Sequence, residues 1–137
     1  MKYWLVKTEP ETYSWSDFEK RKVEVWDGVR NYQARNNLNE MKQGDLVLFY
    51  HSGDERRVMG ISKVAKESYQ DPGTDDARWR SVDLEIMEKL PQSVSLAQIK
   101  ADERLQQIAL VKQSRLSVMP LNKDEFDLIV SLGYASE

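Results

Sequence analysis

Cysteine is absent from this chain and histidine occurs once, as His51. Disulfide frameworks, thiol nucleophiles, iron–sulfur clusters, Cys/His zinc sites and any two-histidine metal centre are therefore excluded. Glycine is sparse. Gly28, Gly44, Gly53, Gly60, Gly73 and Gly133 form neither G-x-G-x-x-G nor G-x-x-x-x-G-K-[ST], so loops that cradle nucleotide phosphates are missing. No apolar run approaches the ~20 residues of a membrane-spanning helix. The opening residues reach Lys7 and Glu9 too early for a secretory signal. A basic excess is missing as well: 20 Lys and Arg against 23 Asp and Glu leave a net charge of −3. That balance argues against a nonspecific duplex binder working through counterion release. A local patch with a pocket is the form nucleic-acid binding would have to take. Together these absences fit a cytoplasmic, reducing compartment, no membrane partner, no metal and no cofactor. No exposed heptad or long apolar edge is visible, so a monomer is expected.

What is present is a chain of 137 residues, 40% hydrophobic and 31% charged, with four Trp, six Tyr and three Phe. One domain over residues 1–137 is the expectation, since a chain of this size can bury roughly two thirds of its unfolded surface. Tyr3 to Lys7 reads as a strand stopped at Glu9-Pro10. Ser14 or Ser16 can cap a short helix, each followed three residues later by an acid, with Phe18 inward. A brief strand over Val23 to Trp26 and a turn at Asp27-Gly28 lead into a predicted helix from Val29 to Lys42, with Ala34, Leu38 and Met41 on its core face.

Asp45 to His51 is a continuous apolar run of the length of a strand buried on both faces. Val58 to Val64 returns beside it, with Gly60 as a bulge or close-approach point. Asp71 to Asp76 is the longest polar loop, and Arg80 to Leu90 alternates as a half-exposed strand broken at Pro91. Ser95 can cap a helix through Ala101. Leu105, Ile108 and Leu110 mark a short irregular segment, and Ser117 to Pro120 suits an edge strand. The last helix is capped by Asn122 and Glu125 and closed by Gly133. An α+β fold follows: a small mixed barrel of about five to six strands decorated by short helices.

Chemistry is concentrated in few places. A Ser-His-acid triad would need His51 with Ser52, yet neighbouring strand residues face opposite ways. A hydrogen-bonded histidine at a strand end is the simpler reading. Asp71 suits an Asx-turn with Pro72 and Gly73 better than a ligand contact, and Trp4 and Trp15 suit the core. Trp26 to Arg35 differs from plain packing. It joins an aromatic, a turn and a helix start, places Asn31 and Arg35 four apart on one helical face, and offers amides for a base edge and guanidiniums for phosphate. A polar helix face beside unrelated loops would look the same in composition, so the residues alone leave both readings open.

Five blocks in order carry a resemblance: Tyr3-Trp4-Leu5-Val6-Lys7-Thr8-Glu9-Pro10, then Trp26 to Asn36, then Gly44 to Ser52, then Asp71-Pro72, then Ser114-Arg115-Leu116-Ser117-Val118-Met119-Pro120. The chain resembles the EVE domain family. The resemblance implies a PUA-like fold related to YTH and ASCH domains. It also implies a non-enzymatic module that recognises a modified base, chiefly a modified cytosine, in DNA or RNA. It sets the pocket between the Lys7 to Pro10 loop, the Trp26 to Asn31 turn and the Tyr50 to Ser52 strand end. Trp26 is then the stacking face, with Asn31 and Ser52 on the base edge and Pro10, His51 and Trp79 as further ligand contacts. Lys7, Arg30, Arg35 and Arg115 would hold phosphates. The alternatives are a metabolite-binding or protein-interaction module, or a nucleotide-acting enzyme using His51.

Overall fold

The computed structural model describes residues 1–135. Six strands form one mixed sheet: β1 (Tyr3–Thr8), β2 (Val23–Trp26), β3 (Leu46–His51), β4 (Arg57–Gln70), β5 (Arg80–Ser95) and β6 (Val118–Leu121), in the order β2-β5-β4-β3-β1-β6. Among the described residues only the β1–β3 pairing is parallel. The α-helices are α1 (Trp15–Arg21), α2 (Tyr32–Glu40), α3 (Leu96–Ala101), α4 (Ala109–Lys112) and α5 (Lys123–Tyr134), with a 3-10 turn at Glu103–Leu105. The architecture is the α+β class expected, with one qualification. Strands β2 and β6 are unpaired edges, so the barrel is open rather than closed.

β3 occupies the interior of the sheet because Val47 through His51 are buried on both faces, which leaves no face for water. Phe49 is its hub, ringed by Phe18, Trp15, Trp26 and Tyr13 at centroid distances of 5.3, 5.3, 5.7 and 6.4 Å. Contact between Trp26 of β2 and Phe49 of β3 crosses the concave side of the sheet, since β2 and β3 are not neighbours in the strand order. Gly60 sits where the β3–β4 register shifts, and a Cβ there would lie 2.7 Å from the Glu88 carbonyl and collide with the Trp15 indole. The close approach read from the sequence is real.

Several boundaries differ from expectation for identifiable reasons. The second helix begins at Tyr32, because Asn31 is its N-cap and accepts the Ala34 N–H at 2.9 Å. It ends at Glu40, short of Lys42. Asp45 precedes β3 instead of opening it. Its buried carboxylate accepts the Lys2 and Lys42 N–H groups and the Trp4 indole N–H, each at 3.0 Å. β4 runs to Gln70, well past Val64. β5 continues through Pro91 because Gly60 pairs with Lys89 and Val58 with Val94, so the proline sits in a bulge that needs no ladder donor. Gly133 lies inside α5, where a side chain would meet Leu90 and the Gln92 carbonyl. Ser14, Ser95 and Asn122 form the helix-starting capping boxes.

Candidate functional site

A cleft of about 480 Å³ opens where the barrel fails to close. Residues from opposite ends of the strand order meet in it: Glu24 to Trp26 of edge strand β2, Lys7 and Thr8 of β1, and Ser117 at the entrance to β6. The turn Asp27 to Arg30 and the segment Thr12-Tyr13 complete the walls. Trp26, 8% exposed, forms the floor, with Tyr13 edge-on at 6.2 Å. Period-two alternation puts Glu24 on the same face of β2 as Trp26.

Electrostatics set the cleft's rigidity. Asp71 is buried and binds three donors: the Gly28 N–H and Arg30 Nη1 at 2.9 Å each on one oxygen, and the Gly73 N–H at 2.7 Å on the other. Burial works to raise its carboxyl pKa, but the Arg30 and backbone hydrogen bonds prevail and hold it below the usual range. Asp71 therefore forms the expected Asx-turn and also ties the 71–73 loop to the 28–30 turn. Lys7 is half-buried, which pushes its ammonium pKa down, and it donates to the Ser114 carbonyl at 2.7 Å. Burial and then the Glu24 carboxylate push the Tyr13 hydroxyl pKa up.

Outside the cleft mouth, cations and rings alternate. The Arg30 guanidinium lies 5.3 Å over the Trp79 ring, Trp79 stacks on Tyr32 at 5.2 Å, and Arg35 lies 5.2 Å over Tyr32. Arg35 also donates to the Arg78 carbonyl at 2.9 Å, and Asp76 holds the Arg78 guanidinium. That contact, Arg78 first, brings the Asp76 carboxyl to about 2. Hence the 71–80 loop is fastened to the start of α2 by the Arg30–Trp79 cation–π contact, the Trp79–Tyr32 stack and the Arg35 hydrogen bond.

The sequence pattern of the EVE domain matches residues 2–132. The chain belongs to the EVE domain family. Thymocyte nuclear protein 1 of Mus musculus is 34% identical over 164 residues, covering 95% of this chain and 73% of the relative. A protein of Rhodopseudomonas palustris solved by NMR superposes with a TM-score of 0.94 at 37% identity, covering 100% of this chain and 96% of that one. The human THYN1 protein, solved in complex with 5-methylcytosine-containing DNA, superposes with a TM-score of 0.93 at 32% identity, with 100% of both chains covered. A YTH domain, at 14% identity and a TM-score of 0.62, shares the fold alone.

In this EVE domain the residues singled out from sequence separate into groups. Lys7, Trp26 and Arg30 line the cleft. Asn31 and Arg115 lie in an adjoining groove of about 330 Å³ with Gln33, Lys112 and Ser114, and no carboxylate lines it. The Asn31 carbonyl oxygen accepts the Ala34 N–H and so caps α2. Arg35 and Trp79 belong to the ladder beside Arg30. Pro10, His51 and Ser52 do not line the cleft. Ser52 donates its N–H to Thr8 at 2.9 Å, extending the β1–β3 pairing. His51 is buried, with Nε2 accepting the Trp15 N–H at 2.9 Å and Nδ1 facing Glu55 at 2.8 Å. Both ring nitrogens are engaged in holding α1 and the 52–56 turn. Ser117, from the last of the five resemblance blocks, lines the cleft, as do Tyr13 and Glu24, which the sequence did not single out. Only Glu24 left a trace, two residues before Trp26 on a predicted strand.

Proposed function

We propose that this EVE domain is a non-enzymatic reader that accepts a modified base, extruded from DNA, in the cleft floored by Trp26. The observation that carries this reading is the cleft itself, an aromatic floor with polar walls between Lys7 and Arg30. The fold that holds it matches, over its whole length, a human protein solved with 5-methylcytosine-containing DNA. Extruding a base costs a few kcal/mol. Stacking on an aromatic returns roughly 1–3 kcal/mol per base, and burying a methyl group adds about 0.8 kcal/mol. A modified base is thereby favoured over its parent by the methyl contribution and by any polar contact that the cleft supplies.

Arg30, Arg35 and Arg115 would hold flanking phosphates, with Lys112 beside Arg115 in the carboxylate-free groove. This local patch offsets the chain's net charge of −3. Lys7 contributes its half-buried charge while bracing the Ser114 loop. The engagement of both His51 nitrogens in contacts within the fold supports the non-enzymatic reading. Binding of matched oligonucleotides carrying cytosine, 5-methylcytosine, 5-hydroxymethylcytosine or N6-methyladenine, as DNA and as RNA, tests the reading at fixed salt. Tighter binding to one modified base, lost in Trp26→Ala, is the expected result. Equal binding to all, unchanged by the substitution, refutes it.

A further inference from the structure

Thymine carries the same 5-methyl group as 5-methylcytosine, so a cleft that senses only the methyl group could not tell them apart. The two bases differ at position 4, amino against oxo, and at N3, which accepts in cytosine and donates in thymine. A discriminator must therefore offer a fixed acceptor beside a donor. Most polar groups in the cleft cannot do so: the Thr8, Thr12 and Ser117 hydroxyls both donate and accept, and Lys7 is committed to the Ser114 carbonyl.

Glu24 has the required character. Its side chain is 19% exposed, one oxygen accepts the Val25 N–H at 2.9 Å, and the other meets Arg21 Nε at 3.1 Å. Each oxygen retains acceptor capacity, and a carboxylate cannot donate. Beside it in the same cleft, the Tyr13 hydroxyl is shielded from water and has no hydrogen-bond partner among the described residues. The two groups lie close enough that, after burial, the Glu24 charge and its side-chain contact with the hydroxyl push the Tyr13 pKa up.

Resting on the reading of the cleft as a base pocket, we infer that Glu24 selects bases bearing an exocyclic amino group, with the Tyr13 hydroxyl bonding the neighbouring ring nitrogen. The carboxylate takes the amino hydrogen, as acidic side chains do with cytosine N4. Tyr13 donates to the ring nitrogen. An oxo base would set its carbonyl lone pairs against the carboxylate, leaving buried polar groups unpaired, whereas the Tyr13 hydroxyl, which can also accept, adapts to either form of the ring nitrogen. The cleft then favours amino-bearing edges such as that of cytosine and rejects thymine and uracil.

A four-base comparison separates this inference from the reading beneath it. Cytosine, 5-methylcytosine, uracil and thymine are placed at one position of a DNA duplex opposite an abasic site, so that pairing strength does not bias extrusion. Amino-to-oxo ratios (5-methylcytosine to thymine, cytosine to uracil) test Glu24, and methyl-to-hydrogen ratios test the reader. Wild type should prefer amino bases roughly ten-fold or more, the discrimination of one good polar pair. Glu24→Gln, which keeps an acceptor for the Val25 N–H, should bring that ratio within about three-fold, its fold checked by thermal unfolding. Tyr13→Phe should weaken amino-base binding several-fold. Wild type binding amino and oxo bases alike overturns the inference, as does an undiminished ratio in folded Glu24→Gln. A ratio lost in Asp27→Asn instead moves the role to the rim carboxylate and overturns the assignment to Glu24. Equal binding of 5-methylcytosine and cytosine defeats the reader while the amino-to-oxo ratios still decide the edge.

Discussion

Replacing Asp71 by Asn tests how the cleft is held in shape. The wild-type carboxylate serves three donors from a site that is 1% exposed. Asparagine keeps one acceptor oxygen and turns an NH2 group toward the remaining donors. Taking the oxygen to face Gly28 and Arg30, the Gly73 N–H is orphaned and Arg30 loses its anionic partner. Hydrogen bonds to charged groups contribute about 1.5–3 kcal/mol, so a loss of about 2–3 kcal/mol is expected near neutral pH. A chain of 137 residues has an unfolding entropy of about 0.29 kcal/mol/K, which converts the loss to a fall of about 7–10 °C in Tm. Because the folded-state pKa of Asp71 is depressed, the folded protein binds this proton less tightly than the unfolded chain does. Its stabilisation is complete above the unfolded value of about 3.9 and is lost as pH falls through the folded value. The gap between wild type and variant should thus be constant near neutrality and close as pH falls below about 4. Urea unfolding of both proteins, stepped from pH 7 to about pH 3, measures it. A gap under about 0.5 kcal/mol at neutral pH, or one that does not narrow in acid, would refute the assignment of Asp71 as the anchor of the 28–30 turn.

Three further outcomes follow from separate parts of the fold. Gly60→Ala should destabilise by about 1–3 kcal/mol through overpacking against Trp15 and the Glu88 carbonyl; an unchanged thermal midpoint would show that the β3–β4 bulge yields freely. His51→Leu should cost about 1–3 kcal/mol by orphaning the Trp15 N–H, yet leave modified-base selectivity intact; lost selectivity in a folded variant would return His51 to the site. Arg35→Gln should lower the slope of log affinity against log salt by about 0.9 if Arg35 contacts one phosphate. Salt titrations of both proteins that run parallel would remove it from the interface.

Sequence alone determined the family, the α+β class and the positions of most elements, because these depend on local chemistry. Capping pairs at Ser14, Ser95 and Asn122, the apolar run through β3 and the turn glycines are written within a few residues of where they act. It also singled out Lys7, Trp26 and Arg30 through the five-block resemblance, and all three line one cleft. It could not show that Pro91 rides in a bulge of a continuous β5, since the pairing that permits it lies with residues about thirty positions away in β4. Nor could it show that the oxygen of Asn31 is spent on a helix cap, or that His51 is enclosed by Trp15 and Glu55.

The tertiary structure alone decided which side chains are free to meet a ligand. Glu24 and Tyr13 are eleven positions apart and carry no common motif. They become neighbours because an open barrel curls β2 back toward β1 and the entrance of β6, leaving a gap where closure would have been. A residue's type and local pattern declare what it can do. Whether it does so depends on which hydrogen-bonding capacity the rest of the fold has already consumed, and that is a property of contacts between residues distant along the chain.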